Sequence, residues 1–250
     1  MKIAIFTGYR YVNYFKGIFK KYSHIIEVNY LYESHTIIPK SDESSLIVEK
    51  GEKYEFLYER NYELVIVYGW NYIFPSSIIN KIDFYNIHTS LLPKYRGPIP
   101  LVFQLLNNEI IGGVTLHKID KNIDSGDIYK QYTYKINENE SHISLNIKIM
   151  RGINYLLNSF ITDYFNNELI LIKQNNAEAT YFTFGDLDKY ILDNKYTYEE
   201  FYRIVKIFNG LPIKIKTEQD VNILKSFSLE KISNDYCAFQ LLDRKIFILV

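Results

Sequence analysis

Apolar residues along the chain fall into two alternating kinds of run. Short continuous runs, "KIAIF" at 2–6 and "LVIVYG" at 64–69, have the form of strands covered on both faces. "HIIEVNYLY" (24–32) and "FYNIH" (84–88) read as further strands, and "GGVTLHKI" (112–119) and "IYKQYTYKI" (128–136) as two more around the loop "DKNIDSGD". Between these runs the apolar positions recur at helical spacing. Val12, Phe15, Ile18 and Phe19 predict a helix over about 11–22, with Lys16, Lys20 and Lys21 on its polar side. "FPSSIINKI" (74–82) and "PLVFQLLNNE" (100–109) predict helices that open at or beside a proline, whose fixed φ suits a first turn. Ile143, Ile147, Met150, Ile153, Leu157, Phe160, Ile161 and Tyr164 trace one face of a long helix over about 142–166. Residues 40–60 carry no decisive period and read as a helix or an irregular insert.

Strands alternating with helices predict an α/β fold, a doubly wound and mostly parallel sheet with helices on both faces. The pattern changes near 185. "FGDLDKYILDNKYTYEEFYRIVKIFNG" reads as a connecting segment and a helix closed by Gly210. Strand-like pieces follow, "PIKIK", "VNILKSFSL", "CAFQLL" and "KIFILV", with Asp243–Arg244 as a hairpin turn between the last two. The expected organisation is a main domain at 1–188 and a small C-terminal α+β appendage at 189–250, one helix plus antiparallel strands.

Composition narrows the classes of function. With 29 Lys+Arg against 29 Asp+Glu there is no global basic field to recruit nucleic acid or membrane. Cys237 is the one cysteine, which excludes an internal disulfide and a cysteine-based metal cluster. The apolar run at the N-terminus is too short for a secretory leader, and no run approaches the ~18–20 residues of a membrane span. A soluble, cytoplasmic protein is expected. The 24 Tyr and 16 Phe read as a compositional habit shared with Ile, Asn and Lys, not as a stacking platform.

Two stretches hold chemistry. Side chains alternate across a strand, so Asn86 and His88 share one face at the end of "FYNIH", where open α/β sheets place their ligands. An amide donor beside an imidazole can both stabilise an oxyanion and move a proton. By itself such a pair more often satisfies nearby backbone groups. The loop after 119 brings Asp120, Asp124 and Asp127, each of which, taken singly, is ordinary turn chemistry. His117 alternates with Val114 and Leu116 and reads as a structural histidine near the site.

Together the stretches "FYNIHTSLLPKYRGPIP" and "GVTLHKIDKNIDSGDIY" resemble the formyltransferase family that uses 10-formyltetrahydrofolate. In that family an Asn-x-His pair precedes a Ser-Leu-Leu-Pro-x-Tyr-Arg-Gly loop, and a Gly-Val-Thr-x-His strand and an Asp-x-Gly-Asp loop come later in the chain. The resemblance implies a Rossmann-like catalytic core and a catalytic trio of Asn86, His88 and Asp124. Asn86 and a His88 N–H would hold the oxyanion formed when an amine attacks the formyl carbon. His88 is the natural acceptor for the amine proton, although the sequence leaves the identity of the general base open. Asp124 would fix the His88 tautomer, directly or through water, and help shuttle the proton to the folate nitrogen. It also implies that the folate lies along Ser90, Leu91, Leu92 and Pro93, with "GWNYIFP" (69–75), including Trp70, Tyr72 and Ile73, around its pterin. A core role for Trp70 is an equal alternative.

Departures from the family pattern bear on the acceptor. After the first strand stands "TGYRYVNYF", with one glycine, where glycinamide ribonucleotide formyltransferases carry a Gly/Ser-rich phosphate loop. The regulatory domain of the formyl-folate hydrolases and the full C-terminal barrel of the methionyl-tRNA enzymes are not seen. The chain is most similar to the sugar N-formyltransferases. That likeness implies a nucleotide-linked amino sugar as acceptor, such as a dTDP-4-amino-4,6-dideoxyhexose destined for surface polysaccharide (O-antigen, lipopolysaccharide). Tyr9, Arg10 and Lys94 are the candidate contacts to it, Arg96 a further site cation or a brace of its loop, and Tyr181 and Phe182 would pack the domain junction in preference to stacking on the base. Neither nucleic acid nor membrane is expected as a partner, and a homodimer through "KIFILV" is allowed. The alternatives are a shortened methionyl-tRNA formyltransferase, given Lys206, Lys214, Lys216 and Lys225, and a non-catalytic relative that binds a nucleotide sugar or folate.

Overall fold

A computed structural model describes residues 1–33, 45–48, 54–70, 72–138, 140–208, 211–217, 220–230, 233 and 235–249, with the backbone alone at 32, 33 and 45–48. Its central element is a seven-stranded sheet in the order β3-β2-β1-β4-β5-β6-β7. The strands are β1 (Lys2–Thr7), β2 (Glu27–Glu33), β3 (Ser45–Val48), β4 (Leu64–Tyr68), β5 (Asp83–His88), β6 (Ile111–Lys118) and β7 (Ile128–Lys135). The continuous apolar runs lie at the centre: Ile3 to Phe6 and Leu64 to Ile66 are fully buried, because helices cover both faces there. Pairings among β3, β2, β1, β4 and β5 are parallel, whereas β6 is antiparallel to both β5 and β7. The chain steps outward from β1 to β3 and then returns to β4 on the other side, so the strand order reverses between β1 and β4. Such a reversal opens a crevice at the C-terminal strand ends.

On one face α1 (Val12–Phe19), α4 (Pro100–Leu106) and α5 (His142–Phe165) bury Val12, Phe15, Leu101, Phe103, Leu145, Ile153 and Phe160 in the larger core. On the other, α2 (Phe56–Glu59) and α3 (Ser76–Ile79) close a smaller core of Ala4, Phe6, Leu57, Val65, Ile78 and Phe84. The doubly wound, mostly parallel architecture expected from the sequence is present.

Two local expectations need correction. Within 40–60 the backbone forms β3, parallel to β2, and the short α2. Residues 34–44 and 49–53 lie outside the described residues. On α5, Ile153, Leu157, Phe160 and Ile161 of the expected face are buried, but Ile143 and Ile147 are 71% and 63% exposed, and Leu145, Ile149, Gly152 and Leu156 complete the buried face instead. Gly152 lets this face come close to β6 and β7, since a Cβ there would stand 2.6 Å from the Tyr132 ring and 3.2 Å from Val114.

Beyond 188, α6 (Tyr198–Phe208) is followed by small strands. β8 (Ile191–Leu192) pairs in parallel with β9 (Lys214–Lys216), and β10 (Val221–Ile223) is antiparallel to β9. A second sheet joins β11 (Ser226–Ser228) and β12 (Cys237–Gln240) to β13 (Lys245–Leu249), all antiparallel. The turn at Asp243–Arg244 closes with a Leu241 N–H bond to the Arg244 carbonyl, and the Asp243 carboxylate accepts from Tyr198 N–H at the start of α6, 2.7 Å away. The expected helix with antiparallel strands is therefore seen, with the parallel β8–β9 pair in addition. Gly210 falls outside the described residues. Phe201, Ile207, Phe208, Ile215 and Ile246 belong to the same apolar cluster as Leu101, Phe103 and Leu157. Among the described residues no helix is long and apolar enough to cross a membrane.

Candidate active site

β5 ends in the crevice with Asn86 and His88 on the face of Phe84, and the antiparallel pairing of β6 sets His117 opposite Asn86 and Thr115 opposite His88. A shift of register between Leu116 and His117 lies directly beside this pair, where β-bulges commonly re-aim side chains. The loop after β6 sorts its acids. Asp120 accepts from Asn122 N–H at 2.9 Å and from the Ser125 hydroxyl at 2.7 Å, and so builds its own turn. Asp124 adopts φ 51° and turns its carboxylate inward. Its Oδ2 accepts from Gly97 N–H at 2.8 Å and its Oδ1 from the Asn86 amide at 3.2 Å. The same carboxylate stands 3.5 Å from His88 Nδ1 and 3.6 Å from His117 Nε2. The structure brings Asn86, His88 and Asp124 into one cluster and adds His117.

Carbonyl oxygens accept and never donate, which fixes both rings. His88 Nε2 lies 2.7 Å from the Tyr95 carbonyl, so Nε2 carries a proton and Nδ1 is the ring nitrogen facing Asp124. The Tyr95 carbonyl, not Asp124, therefore sets the His88 tautomer, and the His88 N–H is already spent. This corrects two expectations at once. His117 Nδ1 donates to the Lys118 carbonyl at 2.9 Å, leaving Nε2 to accept from the Asn86 amide at 3.2 Å. Both Asn86 amide hydrogens are thus met at the loose end of the hydrogen-bond range.

The loop from 89 to 98 is held by its own polar groups. The Ser90 hydroxyl donates to the Lys94 carbonyl (2.7 Å), Thr115 to the Ser90 carbonyl (2.6 Å), and Gln131 to the Leu92 carbonyl (2.8 Å). Ser90 and Leu92 are buried, so their side chains serve the loop, while Leu91 and Pro93 keep partial exposure and Lys94 is exposed. Phe182 stacks on Tyr95 (5.3 Å) and Phe103 (4.5 Å), the packing role expected for it. Arg96 donates to Gln174 and Asn176, and thus braces its loop. Gly97 sits at φ 100°, and a Cβ there would stand 2.1 Å from the Phe182 carbonyl. Gly97→Ala is expected to cost about 1–3 kcal/mol of stability, read as a lowered thermal midpoint.

Burial disfavours a charged ring and holds the pKa of His88 below its ordinary 6.5, although the Asp124 carboxylate and the Tyr95 carbonyl pull it back up and His117 pushes the same way as burial. Burial alone would raise Asp124; a charged His88, the contacts to His117 and the Gly97 N–H outweigh it and hold this carboxyl well below the usual range. A histidine with a lowered pKa binds its proton more weakly in the folded chain, so its contribution to stability is lost as pH falls below 6.5. The depressed Asp124 adds stability above its unfolded value of 3.8, and that too is lost on acidification. Acid weakens the site on both counts.

The remaining predicted contacts lie around the crevice. Trp70 packs edge-on against Phe6 at 5.0 Å and Tyr72 at 5.5 Å, walls the smaller core, and buries an indole N–H that meets no acceptor among the described residues. Ile73 is 75% exposed. Tyr9 packs against the larger core, and Arg10 is exposed over the Tyr11 ring at 4.7 Å. Sequence reasoning missed the Tyr95 carbonyl, the Gly97 N–H and Gln174. The first two are backbone atoms with no signature, and Gln174 stands in a stretch without periodicity.

The family model described as formyl transfer, "Formyl transferase", matches residues 35–154. The methionyl-tRNA formyltransferase of Buchnera aphidicola is 35% identical over 134 residues, 51% of this chain and 40% of that protein. The chain matches less than half the length of the first such curated relatives. Among solved structures, a sugar N-formyltransferase from Shewanella superposes with a TM-score of 0.73 at 20% identity, over 93% of this chain and 98% of the other. An N-formyltransferase from Helicobacter canadensis, solved with folinic acid and dTDP-3-aminofucose, gives 0.66 at 23% identity over 99% and 98%. On the family match, the fold and the order of its motifs, the chain is similar to the formyltransferases.

Proposed function

We propose that this protein moves a formyl group from 10-formyltetrahydrofolate to the amine of a nucleotide-linked amino sugar, a dTDP-4-amino-4,6-dideoxyhexose being the type of acceptor meant. The observation that carries the transfer chemistry is the arrangement of His88: Nε2–H is committed to the Tyr95 carbonyl, and Nδ1 stays open beside the Asp124 carboxylate. In the reaction the amine nitrogen bonds the formyl carbon and the bond from that carbon to the folate nitrogen breaks. His88 Nδ1 takes the proton leaving the amine. The Asp124 carboxylate, 3.5 Å away, stabilises the imidazolium so formed, and His88 returns the proton toward the departing folate nitrogen. The Asn86 amide holds the formyl oxygen as it gains charge; an oxyanion outcompetes the neutral acceptor that the amide now meets at 3.2 Å.

The donor fits the face where Asn86 and His88 open. The partly exposed Leu91 and Pro93, with backbone groups of the loop, supply its wall. On the acceptor, the reading is supported by the balanced charge and by whole-chain similarity to two sugar-modifying enzymes. Tyr9, Arg10 and Lys94 are assigned to the nucleotide diphosphate, Arg10 through its forked donors. A methionyl-tRNA acceptor is favoured instead by the sequence relatives. The deciding experiment supplies 10-formyltetrahydrofolate with a panel of amino-sugar nucleotides, glycinamide ribonucleotide and charged initiator tRNA. Turnover on a sugar nucleotide is expected; turnover on tRNA alone would falsify the sugar reading.

The acidic limb of the pH profile follows from the same ring. His88 must be neutral to accept a proton, so kcat/KM is full above its pKa and declines as pH drops through it. Because that pKa lies below 6.5, the inflection is expected below 6.5 in a rate-against-pH series.

A further inference from the structure

The segment 172–182, outside both motifs, is stitched across the two loops that form the site. Ile172 bridges to Ile128 at the start of β7. Thr180 accepts from Tyr95 N–H through its hydroxyl (2.8 Å) and from Arg96 N–H through its carbonyl (2.8 Å), and Phe182 N–H returns to the Arg96 carbonyl (3.0 Å). Between these contacts lies Gln174. Its amide Nε2 donates to the carbonyls of Asp124 (2.9 Å) and Gly126 (2.7 Å), and its Oε1 accepts from Arg96 Nε (3.2 Å) and Nη2 (2.8 Å).

We propose that Gln174 is a positioning residue: with Arg96 it ties the Asp124 loop to the 95–97 loop and so sets the distance between the Asp124 carboxylate and His88. The two loops supply opposite sides of one ring. Tyr95 holds His88 Nε2, Asp124 faces Nδ1, and Arg96 lies between Tyr95 and the Gly97 N–H that Asp124 also accepts. Asp124 stands at φ 51°, a conformation a non-glycine residue keeps only when its surroundings hold it. The Gln174 amide bonds the carbonyl of that very residue. Removing it frees the loop to relax, and the carboxylate moves away from the ring. Near-attack geometry is sensitive at this scale, where a displacement of ~1 Å can cost about 10²-fold in rate.

The consequence for catalysis rests on the formyl-transfer reading, but the geometry can be tested without it. The protein has five histidines, so ¹⁵N-histidine labelling with two-bond correlations resolves the tautomer and titration of His88. Asp124 and His117 are the titratable groups that act on that ring. In Gln174→Ala, weaker attraction from Asp124 is expected to move the His88 midpoint to lower pH, with the Nε2–H tautomer kept. Where the wild type turns over, kcat is expected to fall about 10- to 100-fold with both KM values within about threefold, and the acidic limb to move with the midpoint. Gln174→Leu, of similar size and without added charge, likewise loses the amide donors and the acceptor for Arg96, and the same changes are expected; it carries the readout if the alanine variant does not fold. A His88 midpoint unchanged from wild type in the folded variant overturns the proposal, as does a loss of activity that tracks only a fall in thermal midpoint. Absence of formyl transfer by the wild type would sink the proposed function and leave the titration to decide the role of Gln174.

Discussion

Asp124→Asn is expected to lower kcat for formyl transfer by about 10²–10³, a loss of the size seen when a preorganised polar group of a reaction centre is removed. The two carboxylate oxygens each meet a donor, Gly97 N–H at Oδ2 and the Asn86 amide at Oδ1. An amide in that place offers one acceptor and one donor. If its oxygen faces Gly97, its NH₂ meets the NH₂ of Asn86; if it is turned over, its NH₂ meets the Gly97 N–H. Either orientation sets two donors against each other in a site where Asp124 is 12% exposed. The variant also loses the charge that steadies protonated His88, so its acidic limb is expected at lower pH than that of the wild type. Steady-state kinetics across pH, with a thermal melt for each variant, checks both. Turnover within a few-fold of wild type would mean that the carboxylate has no part in the transfer.

His88→Ala and Asn86→Ala are each expected to cut kcat by at least ~10², with little change in the affinity for the acceptor. They differ in what they leave behind. His88→Ala strands the buried Tyr95 carbonyl, so a stability loss of about 1–3 kcal/mol should accompany the kinetic one. Asn86→Ala removes the shared donor of His117 and Asp124 and lets the two acceptors meet. Isothermal titration with the acceptor separates binding from chemistry. Near wild-type turnover in either variant would remove that residue from the mechanism.

How much of this was written in the chain varies with the kind of atom. The buried strands were legible because four apolar residues in a row in β1 and five in β4 leave no polar face to argue over. Asn86 and His88 were legible as a pair because strand alternation fixes which side chains share a face. Asp124 was not separable from Asp120 by residue type or by loop, and only the family resemblance singled it out; the backbone shows the physical difference, since one caps its own turn and the other turns inward at a positive φ. The source of the His88 tautomer was hidden for a different reason, since every residue but proline offers the same backbone carbonyl. On α5 Ile153, Leu157, Phe160 and Ile161 were legible from their period, but the first turns were not, because Ile143 and Ile147 are apolar and yet stand in solvent. β3 was missed because its few residues sit at the sheet's edge, where pairing with one neighbour needs less apolar character than the centre does.

The apolar cluster that runs from α4 and α5 into α6 and the strands around it has a consequence for how this protein can change. Arg203 on α6 reaches the Leu105 carbonyl at the end of α4, and Phe201, Ile207 and Phe208 are buried in the common interior. Exchange of the last sixty or so residues with those of a relative would therefore not be a transfer of one module to another. It would cut through a shared interior, and the new partner would have to match α4 in shape before it could bring any new acceptor with it. Drift in substrate choice is easier in the exposed loops at the crevice, where a residue such as Arg10 can be replaced without disturbing the interior.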